Sequence, residues 1–265
     1  LLCQLVPFGN CAGANLSGAD LSGMDLTGID LRSANLEGAN LAGAGLSESL
    51  LMNIKGNSST NFSNANLYRA DLTEAYLGNV DLMDASLNHT DLTRAHLVFA
   101  DLSGAYLMYA DLTVAFLQYA DLSDANLYRA DLTDASLNYA DLTDAYLRGA
   151  DLTNANLTNA NLQNADLTDA NLKNVDLTDA YLSGADLTGA NLLSADLTDA
   201  YLRDADLTDA YLWNADLTGA NLWYADLKFA DFGGATVTDA VFTDTYWHQT
   251  IWTDYVRYDS NQAAD

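Results

Sequence analysis

From Phe62 to Trp252 a large apolar residue occupies every fifth position, and no ordinary secondary structure repeats at five. On an α-helix a five-residue step advances about 500°, equivalent to about 140°, which scatters successive leucines around the axis and leaves no apolar stripe. A continuous helix is therefore excluded. On a strand the Ala two residues before each Leu shares its face, while the Asp or Asn between them points away. The next Ala follows three residues after the Leu, an odd step that a straight strand would turn outward. The chain must therefore turn within every repeat. The two residues after each Leu suit a turn, being mostly Ser or Thr followed by Gly, Asp or Asn. Short extended pieces joined by regular corners make a coil. Stacked coils pair their backbones in parallel at about 4.8 Å and align equivalent side chains in columns.

The apolar centres run from Leu16 to Leu46 and resume from Phe62 to Trp252, about 46 units. Repeats such as "ADLTD", "ANLTN" and "AYLSG" resemble the A(D/N)LXX pattern of pentapeptide-repeat proteins, and the likeness extends over roughly residues 14 to 254. The resemblance implies an all-β fold, a right-handed quadrilateral parallel β-helix with four repeats per circuit. About 46 units then make about 11 or 12 circuits and a length of roughly 55 Å. Residues 1–13 are expected to cap the N-terminal end, residues 14–254 to form the β-helix, and residues 255–265 a C-terminal tail. Leu46 and Phe62 are 16 residues apart, one more than three repeats, so a register break is expected within residues 47–60, with a bulge or loop near Ile54 to Thr60. Either a tolerated bulge or a binding loop would account for it. The Trp, Tyr and Ile residues near the C-terminal end suit either a cap on the last circuit or an end-to-end dimer contact; monomer and dimer both remain open.

Charge narrows the partners. With 10 Lys and Arg against 37 Asp and Glu the net charge is −27, which argues against direct nucleic-acid or anionic-lipid binding. No apolar run approaches the roughly 20 residues that span a bilayer. With 20 residues per circuit, Asp71, Asp91, Asp111, Asp131 and Asp151 are expected to form one acidic column and Asp81, Asp101, Asp121 and Asp141 another. After residue 151 the pattern moves to Asp166, Asp186, Asp206 and Asp226, and to Asp176, Asp196 and Asp216, a quarter turn away. On a third side, Tyr76, His96, Val98, Phe99, Phe116, Tyr119 and Tyr139 form a candidate partner-binding strip. The same rings also stack to stabilise a ladder without any partner.

No phosphate-binding glycine loop, nucleophile elbow or zinc signature is present, and His89, His96 and His248 share no stacked position. No catalytic residue, cofactor or metal site is expected. Cys3 and Cys11 flank Pro7, and a disulfide between them would close a short loop at the N-terminal end. Such a bond belongs to an oxidising compartment, the periplasm or thylakoid lumen, whereas two free thiols would suit the cytoplasm. Three functions fit: a non-enzymatic scaffold for an unknown protein partner, a DNA mimic that inhibits a type II topoisomerase, and an acidic cation buffer. The acidic residues fall about one per 1.5 Å of expected length, comparable with about one charge per 1.7 Å in duplex DNA. The Leu-rich centres resemble cyanobacterial members of the family more than its DNA mimics.

Overall fold

The coil follows from two hydrogen-bond patterns that recur through the chain. After each central Leu the backbone reverses through a tight turn, as where the Ala75 amide donates to the Leu72 carbonyl at 3.0 Å. Between circuits the central amide donates to the carbonyl 19 residues on, Leu72 to Asp91 at 2.7 Å, and the Asp91 amide returns a bond to Ala70 at 3.0 Å. The residues before the centres consequently pair in parallel 20 apart: Asp71 with Asp91, Tyr76 with His96, Asp81 with Asp101. Each 20-residue circuit holds four such turns, hence four sides. The computed structural model describes residues 3–258. Contacts divide the chain into two compact units, Leu1–Ser136 and Leu137–Asp265.

In both units the core is the column of central leucines with the alanines two residues before them, nearly all fully buried. Each buried Leu contributes about 1.5–3 kcal/mol, so the interior columns carry the stability. Where a hydroxyl replaces one of these alanines, as at Thr90 and Thr250, it donates to the backbone carbonyl of Leu67 or Leu227 at 2.8 and 2.7 Å. The buried polar atom is thereby satisfied.

The corners explain the Asp and Asn before each Leu. Their Oδ1 accepts the amide of the residue two on, as in Asp71 to Thr73 and Asn66 to Tyr68 at 3.0 and 3.1 Å. This local bond satisfies a turn donor that the ladder leaves over. The second turn residue has positive φ, near +57°, a region suited to Asp84, Asn79 or Gly23. Phe99, Val114 and Tyr119 occupy the same conformation with φ of 59°. For a bulky or β-branched side chain that conformation costs about 1–2 kcal/mol.

In the first unit the ladder begins at Asn10, which pairs with Asp30. Cys3 and Cys11 stand with their sulfurs 2.03 Å apart. Between residues 55 and 61 the coil takes in one extra residue, since Asn35 pairs with Lys55 but Asn40 with Asn61. Gly56 holds the place of a central Leu, and the space is taken by Val80, whose Cγ2 lies 2.9 Å from where a Gly56 Cβ would sit. Thr60 closes the bulge. Its buried hydroxyl donates to Leu36 O at 3.0 Å and accepts the amides of Asn57 and Gly38 at 2.9 and 3.1 Å.

In the second unit the columns continue to Phe232, and Phe232, Phe242, Trp247 and Trp252 then fill the interior with rings 4.8–6.2 Å apart. Strand β1 (Thr250–Ile251) pairs antiparallel with β2 (Arg257–Tyr258). Most of the tail read at 255–265 lies outside the described residues. Among the described residues no helix is long and apolar enough to cross a membrane.

Candidate interaction surface

On one side of the first unit the side chains before the centres are Tyr76, His96 and Phe116, and their rings stack at 4.9 and 4.8 Å with interplanar angles of 8° and 15°. Beside them Phe99 and Tyr119, both second turn residues, stack at 4.8 Å. Tyr76, Phe99 and Tyr119 are about half exposed, at 47, 55 and 47%. Val98 is half-buried between these two ladders. Six of the seven strip residues thus gather on one side of this unit. Tyr139 belongs to the second unit, where it lines an open groove with Asp141, Asn161, Gln163 and Tyr181.

These aromatics come at a local cost. Tyr76, His96 and Phe116 have no side-chain oxygen able to cap their turns as Asp or Asn would. Phe99 and Tyr119 add the positive φ. In the adjoining column, one circuit after Val98, Gln118 has a buried Oε1 with no hydrogen-bond partner. Stacking returns about 0.5–1.5 kcal/mol per pair, the same order as the losses.

The two neighbouring sides carry the acidic columns. Asp71, Asp91, Asp111 and Asp131 follow one another through parallel bridges on one, and Asp81, Asp101 and Asp121 on the other. In the second unit Asp166, Asp186, Asp206 and Asp226 form one column, and Asp176, Asp196 and Asp216 another. Three carboxylates outside these columns are held below their ordinary range: Asp20 and Asp25 by the hydroxyls of Ser22 and Thr27, Asp30 by the Arg32 guanidinium. Among the described residues no group of three or more His, Cys, Asp or Glu side chains is placed to hold a metal ion.

A second aromatic row, on the opposite side of the first unit, escaped the sequence reading. His89 stacks on Tyr109 at 5.1 Å, with Tyr68 and Tyr128 edge-on at the two ends. Arg69 and Arg129 cover the faces of Tyr68 and Tyr128 at 5.1 and 5.3 Å. The 20-residue spacing of His89 and Tyr109 was a visible signal. The edge contacts join different positions of successive circuits and leave no such spacing. In the second unit Tyr181 stacks on Tyr201 at 5.0 Å, and Arg203 lies over Trp223 and Tyr224.

The family model for pentapeptide repeats matches in eight copies, over residues 10–48, 60–97, 85–124, 95–134, 135–174, 165–204 and 205–244. The chain belongs to the pentapeptide-repeat family. Its coil is accordingly the family's right-handed β-helix. This pentapeptide-repeat protein is similar to HetL, a protein involved in heterocyst differentiation regulation from the cyanobacterium Nostoc sp. strain PCC 7120. The two are 32% identical over 91% of this chain and 94% of HetL, with a TM-score of 0.57. QnrB1, a plasmid-mediated fluoroquinolone resistance protein, is 17% identical over 86% of this chain and 89% of its own, with a TM-score of 0.39. A pentapeptide-repeat protein from the thylakoid lumen of Arabidopsis thaliana is 32% identical over 39% of this chain and 66% of its own, with a TM-score of 0.15. At those two scores neither likeness bears on this chain's partner or location. No curated protein matches the sequence.

Proposed function

We propose that this pentapeptide-repeat protein is a non-enzymatic scaffold, a four-sided coil that holds a protein partner on the aromatic side of its first unit. The observation that carries this reading is the placement of Phe99 and Tyr119. Both are half exposed, both sit in a backbone conformation that Gly, Asn or Asp would adopt at lower cost, and burial gives neither a reason to be there. Strain that the stacking of the two rings offsets only about evenly points to a use. Aromatic side chains of this size dominate binding surfaces when a partner buries them.

The test replaces Phe99 and Tyr119 together by Asp. The variant is expected to lose the protein that the immobilised wild type retains from cells of the source organism, while its melting temperature stays within a few degrees. Retention of the same protein by the variant would refute the reading. So would a large fall in melting temperature, because the rings would then be part of the scaffold's own stability.

We further propose that the chain works in an oxidising compartment, because Cys3 and Cys11 are placed to bond and close the loop over the first circuit. A thiol titration of the native protein is expected to find no free thiol. Two reactive thiols would place it in a reducing compartment instead.

A further inference from the structure

The turn cap needs an oxygen but no charge, since Asn66 and Asn126 cap as Asp71 and Asp111 do. From residue 66 to 136 of the first unit the acidic caps are nevertheless sorted by side, although before it Asp25 shares the column of Asn66. From 71 to 131, all seven capping positions on the two sides bordering the aromatic one are Asp, whereas none of the eight equivalent positions from 66 to 136 on the other two sides is acidic. Folding does not demand this. Within each column successive carboxylates lie on neighbouring rungs of the parallel ladder, where like charges repel by up to about 1 kcal/mol even in water. Asn would cap equally well without that repulsion.

The sequence Asp71, Tyr76, Asp81 steps across three sides in order, and each residue begins a column through the bridges to 91, 96 and 101. The aromatic column therefore has a carboxylate column along each flank. Because Tyr76, His96 and Phe116 stack face to face along the column, they offer mainly their edges to solvent. A ring edge is the positive part of the aromatic quadrupole and gives a cation no seat. The strip is thus suited to apolar contact, and cations are drawn to its borders.

Resting on the reading of this side as the partner site, we propose that it takes a basic amphipathic segment of the partner, with an apolar stripe bordered on both sides by Lys or Arg. The stripe packs on the edges of Tyr76, His96 and Phe116 and on Phe99 and Tyr119. The bordering cations pair with the Asp91 and Asp111 flank and with the Asp101 and Asp121 flank. A segment bordered by Glu is repelled from both.

Binding of a fluorescent Leu/Lys amphipathic peptide to the full chain tests this, with the same peptide carrying Glu for Lys as its counterpart. The wild type is expected to bind the Lys peptide and ignore the Glu peptide. Asp91→Asn, Asp101→Asn, Asp111→Asn and Asp121→Asn together keep their caps, do not lower the melting temperature, and weaken binding about tenfold or more. Phe99→Asn with Tyr119→Asn weakens it comparably. Four matching changes in the second unit, Asp186, Asp196, Asp206 and Asp216 to Asn, leave it within about twofold. Equal weakening by the second-unit changes would mean diffuse attraction to an acidic surface and would overturn the proposal, as would failure of the Lys peptide to bind. If the four first-unit changes leave the natural partner bound while the Phe99 and Tyr119 changes release it, the scaffold reading survives and the basic-segment proposal falls.

Discussion

Replacing Leu102 by Ala is expected to cost about 3–5 kcal/mol, whereas Leu50→Ala costs less than about 0.5 kcal/mol. The residue types removed are identical. Leu102 is a central residue, fully buried in the column between Leu82 and Leu122, and the circuits above and below hold its walls apart. Hydrogen-bonded on both sides, those circuits cannot collapse into the cavity, so both the lost transfer energy and the lost contacts are felt. Leu50 stands before a centre, at 37% exposure, where Asp or Asn is usual. A coil of this kind couples each circuit only to its neighbours, so the Leu102 loss is local. Hydrogen exchange should quicken most at the amides of Leu82, Leu102 and Leu122 and little at Leu26. Uniform quickening, or a loss below about 1 kcal/mol, would contradict a core supported one circuit at a time.

Thr60→Val preserves shape and removes only the hydroxyl, yet is expected to destabilise by about 2–4 kcal/mol. In the extra-residue bulge that hydroxyl serves three backbone groups, Leu36 O and the amides of Asn57 and Gly38. Valine would leave the Asn57 amide without it; Gly38 keeps only the Asn57 side-chain oxygen at 3.0 Å. The Asn57 amide, part-buried in this bond, loses its partner, and the Leu36 carbonyl loses one of two bonds, at about 1–2 kcal/mol each. Thr90→Val is the comparison, because the Thr90 hydroxyl serves one carbonyl, Leu67 O, and its loss should cost about 1 kcal/mol. Chemical denaturation of the two variants side by side measures the difference. Equal effects would show that the bulge does not depend on Thr60.

The five-residue period made the inward Leu and Ala and the corner between them legible, because side-chain alternation leaves no other way to bury both. It did not set the length of a circuit. That came from the resemblance to the family, and parallel pairing 20 apart agrees with it. The register break was legible as a slip within 47–60, near Ile54 to Thr60, but not how the coil accommodates it. Leu51 and Ile54 keep the regular pattern, and the extra residue enters only after Gly56, whose missing side chain Val80 replaces from another circuit. The stacked rings at 76, 96 and 116 were legible because stacking preserves spacing. The Tyr68 and Tyr128 contacts with the opposite row were not, because an edge-on contact joins unlike positions. The meaning of Asp against Asn became readable only once the cap showed that both do the same structural work.

The short antiparallel pairing near the C-terminal end bears on growth. A coil whose every layer offers the next one a row of parallel donors and acceptors has no inherent stopping point, and its bare end invites another chain to add on. Among the described residues the last parallel bridge is Asp231 with Ile251, and there the chain reverses so that Arg257–Tyr258 occupies the outer edge of Thr250–Ile251. On that side the template is consumed by its own molecule, and Trp247 and Trp252 seal the hydrophobic bore beneath it. A strand adding at this edge would first have to displace Arg257–Tyr258, so the hairpin hinders edge-to-edge pairing there.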